Sequence, residues 1–123
     1  MGTGGKPSEY RPVTDNVIEA LRQIAGEAHV LVGDEALEPY THDETVGLRA
    51  DPEVVVKVTS TDQISRILVL AQRERIPVTP RGAGYGLSGG AVALYGGIVL
   101  STEKMNRILE IDHENLMVTV EPG

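Results

Sequence analysis

The 123-residue chain reads as an α/β (α+β) domain built on a small, mostly parallel sheet flanked by helices. Three features predict this. The β-branched run Val54, Val55, Val56 and Val58 lacks the alternation of a half-exposed strand, and so belongs to one buried on both faces. A helical pattern follows it, and a short apolar strand at residues 76–79 follows the helix. Strand, helix and strand in that order make a parallel crossover unit, for which a right-handed connection is expected.

Taken in order, residues 1–12 are rich in Gly, Pro and charge without an apolar period, and read as a flexible lead-in. Thr14 or Asp15 can cap a first helix whose apolar positions Val17, Leu21, Ile24 and Ala25 recur at helical spacing, with Gly26 just past its end. Residues 29–32 form a short strand, and residues 33–52 an irregular polar stretch with room for one helical turn. Ser60 with Gln63 makes a capping box for the second helix. Its buried face is marked by Ile64, Ile67, Leu68 and Ala71, and it ends near Glu74. Residues 98–101 are a strand, residues 103–106 a turn, and residues 108–112 and 117–120 pair across an Asp-His-Glu-Asn turn.

Composition narrows the function. Eighteen acidic against eleven basic residues give a net charge of −7, which argues against a nucleic-acid partner, since phosphate backbones are met by clustered Lys and Arg. No apolar run reaches the length of a membrane span, and the polar start has no signal-peptide core, so a cytoplasmic location is expected. Cys is absent, which excludes disulfides and thiolate chemistry, and any redox step must come from a cofactor. With no Phe or Trp, the core is built from Val, Ile, Leu and Ala.

Seven of the 14 glycines lie within residues 82–97, directly after a strand. Such a loop either turns successive backbone N–H groups toward one point, forming an anion nest for a phosphate or pyrophosphate, or merely permits tight turns between packed strands. Arg81 could add a charge-assisted bond to the anion. The string Gly84-Tyr85-Gly86-Leu87-Ser88-Gly89 matches a dinucleotide-binding pattern, but that pattern should open a long helix and none is predicted here. A Walker loop is excluded because no Gly-Lys-Ser or Gly-Lys-Thr is present.

Together, the segment from Pro77 through Pro80, Arg81, Gly82, Ala83, Gly84, Tyr85, Gly86, Ser88, Gly89 and Gly90 to Ala91, the strand at 98–101, residues 105–112 and the closing Glu121-Pro122-Gly123 resemble the FAD-linked oxidase family. This family shares the flavin-binding fold of vanillyl-alcohol oxidase and p-cresol methylhydroxylase. Within it, the chain looks like the start of a glycolate oxidase FAD-binding subunit or a D-lactate dehydrogenase. The resemblance implies that the loop from Pro80 to Gly90 wraps the FAD pyrophosphate and that Pro122 and Gly123 lie near the flavin. It makes residues 13–123 the first lobe of the FAD-binding domain, with a second lobe and a substrate domain expected beyond Gly123. The implied reaction is oxidation of a 2-hydroxy acid such as glycolate or D-lactate by hydride transfer to FAD. An electron-acceptor subunit would be the partner, and the catalytic residues would lie outside this chain.

Two positions depart from the family pattern. Tyr85 stands where Thr is common, and Val58 where Pro is common, which could relax the turn into the helix. In relatives that link FAD covalently through this loop, Tyr85 would fall on the linking His, so non-covalent FAD is expected. A non-catalytic nucleotide-binding or interaction module is the alternative reading. His42 beside Asp43 and Glu44 lacks a second His at helical spacing and reads as a solvated loop, not a metal site. His113 reads as a turn residue and His29 as a strand flank, and the acidic residues between 35 and 51 read as a solvated face.

Overall fold

A computed structural model describes residues 7–123. Half of the expected lead-in, residues 1–6, lies outside the described residues, and the remainder is tied to the body. The Arg11 N–H donates to the Arg75 carbonyl at 2.9 Å, and the Tyr10 and Tyr95 rings meet at 5.8 Å between centroids.

Helix α1, Asp15–Ala25, starts where expected, with the Thr14 hydroxyl accepting the Val17 N–H and Val17, Leu21 and Ala25 buried. Gly26, at φ 93°, ends it in a conformation that side chains disfavour. The strand expected at 29–32 shrinks to β1, Val30–Leu31, because residues 27–29 continue as a 3₁₀ turn whose His29 Nδ1 lies 2.8 Å from the Ala25 carbonyl. The irregular stretch holds a short helix α2, Asp34–Leu37, and another 3₁₀ turn, Glu38–Tyr40.

Strand β2, Val54–Lys57, leads into α3, Thr61–Glu74, through the expected Ser60 cap, the return bond from Gln63 falling on Thr59 instead of Ser60. The Ser60 hydroxyl accepts the Gln63 N–H at 3.2 Å, while Gln63 Oε1 accepts the Thr59 N–H at 2.9 Å. Val58 shows why Pro is not needed there: its N–H donates to the Ser101 carbonyl at 3.0 Å, a bond that Pro would lack. The buried face of α3 is Ile67, Leu70 and Ala71, and Leu68 is about half exposed. The spacing thus marks the right stripe with its edge one position off, since Ile67, Leu70 and Ala71 pack in the core with Ile64 against it, while Leu68 lines a groove with Tyr10 and Arg75.

The following strand, β3, is Val78–Arg81, two residues later than expected. Arg75 takes the left-handed conformation at the helix end, and Ile76 still belongs to the helix terminus, with its N–H on the Ala71 carbonyl at 2.9 Å. Strand β4 is Ile98–Ser101. The sheet runs in the order β1-β2-β4-β3, with β4 inserted between the two strands of the crossover unit, parallel to both, and β1 antiparallel at one edge. Pro80 is tolerated because β3 is an edge strand with neighbours on one side only.

Alternate residues of β2 and β4 face opposite layers. Val54, Val56, Val58, Ile98 and Leu100 pack under α1 and α3, whereas Val55 and Val99 pack against Leu37, Tyr40 and Ala93. The valine run is fully buried on both sides, as its composition implied. Each such side chain contributes about 1.5–3 kcal/mol relative to exposure. Strands β5, Ile108–Asp112, and β6, Met117–Val120, form a separate antiparallel hairpin. Its turn is closed by the Asp112 carboxylate, which accepts the Glu114 and Asn115 N–H groups.

Candidate functional site

The sheet delivers the glycine-rich loop to its carboxyl edge. Parallel strands β2, β4 and β3 end together, with Lys57, Ser101 and Arg81 in register, and loop 82–90 leaves from Arg81. Ligands in open α/β sheets gather at such an edge.

Arg81 does not face an anion. Its side chain is 8% exposed and turns beneath the loop, where Nη1 donates to the His42 carbonyl at 2.7 Å and to the Ala91 carbonyl at 3.4 Å. Nη2 donates to the Pro39 carbonyl at 3.2 Å, and the guanidinium carbon lies 5.5 Å from the Tyr40 ring centroid. The expectation that Arg81 bonds a phosphate therefore gives way to a structural role, because carbonyl oxygens already hold its donors. Gly84 is shaped by the same side chain. At φ 79° it adopts a left-handed backbone, and a Cβ there would overlap the Arg81 guanidinium.

A second segment braces the loop from outside. The Glu44 N–H donates to the Gly86 carbonyl at 3.1 Å, the Thr45 hydroxyl accepts the Gly89 N–H at 2.8 Å, and Leu48 lies where a Gly89 Cβ would be. Asp43 is buried at 6% exposure, which corrects its reading as part of a solvated acidic face. Its Oδ1 accepts the Thr45 N–H at 2.9 Å. The hydroxyl and N–H of Thr45, with the Arg81 charge behind them, hold its carboxyl below the ordinary range.

The outer surface of the loop carries backbone together with the exposed side chains of Tyr85 and Leu87. Gly82, Ala83, Tyr85, Gly86, Ser88 and Gly90 are exposed, with Gly84 and Gly89 half-buried. The N–H groups from Ala83 to Ser88 meet no acceptor among the described residues. A bare run of donors with left-handed glycines at 84 and 89 fits a multiply charged phosphate group, which supplies the acceptors the chain withholds. No helix follows the loop, as the argument against a dinucleotide fingerprint at residues 84–89 required. Tyr85, at 76% exposure, stands at the loop surface.

The chain end comes to the same place. The Gly123 N–H donates to the Met105 carbonyl at 2.8 Å, and the Thr102 hydroxyl donates to the Pro122 carbonyl at 3.2 Å, beside Gly82. A side chain at Gly123 would overlap the Thr102 carbonyl. Glu121 is engaged elsewhere, its carboxylate held 2.8 Å from Arg107 Nη2.

Sequence reasoning missed a charged cluster below the loop. Glu103 Oε1 accepts the Tyr40 hydroxyl at 2.6 Å and lies 3.2 Å from Lys57 Nζ. Burial opposes the Glu103 charge, but the hydrogen bonds from Tyr40 and Lys57 outweigh it and hold the carboxyl below its ordinary range. These residues lie 17 to 63 positions apart in the chain, and no local pattern connects them. Of the histidines, His42 and His113 are exposed. No group of potential metal ligands is assembled among the described residues.

A mostly parallel sheet covered on both faces, with a glycine-rich loop at its carboxyl edge, is the frame of a cofactor-binding domain. The chain belongs to the FAD-binding domain family, whose pattern matches residues 52–123. It is 46% identical over 116 residues to a D-lactate dehydrogenase from Anaerostipes hadrus, covering 94% of this chain and 24% of that protein. It is 40% identical over 111 residues to glycolate oxidase subunit GlcD from Bacillus subtilis, covering 90% and 24%. The chain thus spans about a quarter of the length of these relatives. In fold it is similar to p-cresol methylhydroxylase, with a TM-score of 0.69 at 24% identity over 91% of this chain and 22% of the other. An alkyldihydroxyacetonephosphate synthase gives 0.73 at 16% identity over 89% and 24%. The bracing segment 39–48 lies before the matched residues.

Proposed function

We propose that this chain is the part of a flavin-dependent oxidoreductase that holds FAD for the oxidation of a 2-hydroxy acid such as glycolate or D-lactate. One observation carries the reading: the N–H groups from Ala83 to Ser88 have no acceptor among the described residues, on a loop that leaves the carboxyl edge of the sheet and whose first residue, Gly82, lies beside Pro122. The D-lactate dehydrogenase and the glycolate oxidase subunit supply the substrate class by likeness. FAD, when bound, accepts the hydride from the substrate carbon.

The chain's own share is binding and positioning. Loop residues Gly82, Ala83, Gly84, Tyr85, Gly86, Ser88, Gly89 and Gly90, entered from Pro80, present N–H groups to the pyrophosphate. Pro122 and Gly123 close the surface toward the flavin. Arg81 shapes the loop from below without contacting the cofactor. No residue here is assigned to proton transfer from the substrate. FAD is held without a covalent bond, since Tyr85 stands where relatives that link FAD through this loop carry the linking His, and the chain has no Cys. Residues 13–123 form the first lobe of the flavin domain, and an electron-acceptor subunit and a cytoplasmic setting complete the proposal.

The test is to purify the whole gene product carrying this chain, record its visible spectrum and assay it with glycolate and D-lactate in the presence of an artificial electron acceptor. A yellow protein that turns over one of these acids, and that releases all its flavin on acid precipitation, is the expected result. A colourless protein that takes up no FAD would overturn the reading.

A further inference from the structure

We propose, resting on the FAD reading, that Asp43 is a positioning residue for the glycine loop, its Oδ2 receiving a loop N–H near Gly86 once FAD occupies the loop. The carboxylate is 6% exposed, and only one of its oxygens is satisfied. Oδ1 accepts the Thr45 N–H at 2.9 Å, while Oδ2 is sealed from water and has no hydrogen-bond partner among the described residues. A buried ionised oxygen without a donor is costly, and one kept in a native fold calls for a partner or a role.

Geometry identifies the donor. A Cβ placed on Gly86 would sit 3.6 Å from Oδ2, so the carboxylate lies directly under the loop. In the loop, the N–H groups from Ala83 to Ser88 have no acceptor among the described residues. An orphan acceptor and a row of orphan donors thus share one layer. Residues 44 and 45 pin the loop at Gly86 and Gly89, by the Glu44 N–H on the Gly86 carbonyl and the Gly89 N–H on the Thr45 hydroxyl. Glycines at 84 and 86 lie on the unpinned side of the Gly86 carbonyl and ease rotation of the peptides there, the one carrying the Gly86 N–H included. A pyrophosphate draws most of the N–H groups outward, and rotation at one peptide turns its N–H down onto Oδ2. The Arg81 guanidinium, whose charge acts on Asp43, offsets the repulsion between this carboxylate and the phosphates above.

Asp43→Asn separates positioning from folding, because its side-chain carbonyl still accepts the Thr45 N–H while an NH2 donor replaces Oδ2. In the whole gene product, FAD affinity is measured by fluorescence quenching, loop exchange by deuterium uptake of peptides covering 82–90 with and without FAD, and folding by the melting temperature of the FAD-free protein. FAD should slow loop exchange in the wild type. The variant should lose most of that protection, bind FAD roughly tenfold more weakly, and melt within a few degrees of wild type without cofactor.

Wild-type protection in the variant would overturn the proposal, and if FAD affinity fell nonetheless, Oδ2 would be assigned to the cofactor itself. A variant too unstable to purify, or one whose FAD-free melting temperature falls as much as its FAD-bound one, would make Asp43 a core residue and also overturn it. A wild type that binds FAD without loop protection overturns the latch alone. One that binds no FAD overturns the underlying reading together with it.

Discussion

Two charged residues at the sheet edge act on the site without facing a ligand. Arg81 is anchored by the carbonyls of Pro39, His42 and Ala91, and Lys cannot reproduce that planar fork of donors. Arg81→Lys and Arg81→Ala should therefore each lower stability by about 3 kcal/mol in denaturant unfolding, the cost of stranding buried carbonyls. If Arg81→Lys instead keeps full stability and FAD affinity while Arg81→Ala loses affinity, charge rather than geometry is what the site uses. Gly84→Ala should strain the left-handed backbone by about 1–3 kcal/mol and push Arg81 aside. Glu103 gives a pH signature. Because its folded pKa is held below the unfolded value, its contribution is present above about pH 4.3 and is lost as pH falls through the folded pKa. Its side chain is 38% exposed, so the difference in stability between wild type and Glu103→Gln should stay below about 1 kcal/mol at pH 7 and vanish toward pH 3.

At the scale of elements, local chemistry sets where helices begin and long-range packing sets where strands lie. The Ser60 cap on α3 should be worth about 1 kcal/mol, and Ser60→Ala should shift the unfolding midpoint accordingly while leaving β2 intact. An unchanged midpoint would show that the Gln63 bond to Thr59 carries the cap instead. Both main helices were legible in the sequence because capping residues and apolar spacing lie within a few positions of one another. Strand β3 was displaced from residues 76–79 to Val78–Arg81 because the helix end absorbs Arg75 and Ile76, a detail of terminal hydrogen bonding that apolarity does not encode. The two-residue strand β1 likewise yielded to a 3₁₀ turn.

For the whole molecule, the valine run revealed a doubly covered parallel sheet, but the insertion of β4 between β2 and β3 depends on pairing across the chain and has no local signature. The same distinction divides the site. The glycine loop stood out by density alone, whereas Asp43, Thr45 and Leu48 lie 41 to 44 positions from the loop residues they touch, in a stretch whose acidity suggested solvent. The hairpin stands apart from both layers. Ile108, Leu109, Ile111, Met117, Val118 and Val120 are all more than half exposed. Bonds at its base tie it to the body, where Gly123 meets Met105 and Pro122 meets Thr102. A two-stranded hairpin without a covered face is marginal in water, and opening it exposes little further apolar surface. Amide exchange across β5 and β6 in the 123-residue chain should therefore outpace that of β2 and β4 by at least about a hundredfold, since β2 and β4 open only with the core. Exchange as slow in the hairpin as in the central strands would show that something covers its apolar side chains in solution, and Ile111→Lys with Val118→Lys would then restore fast exchange.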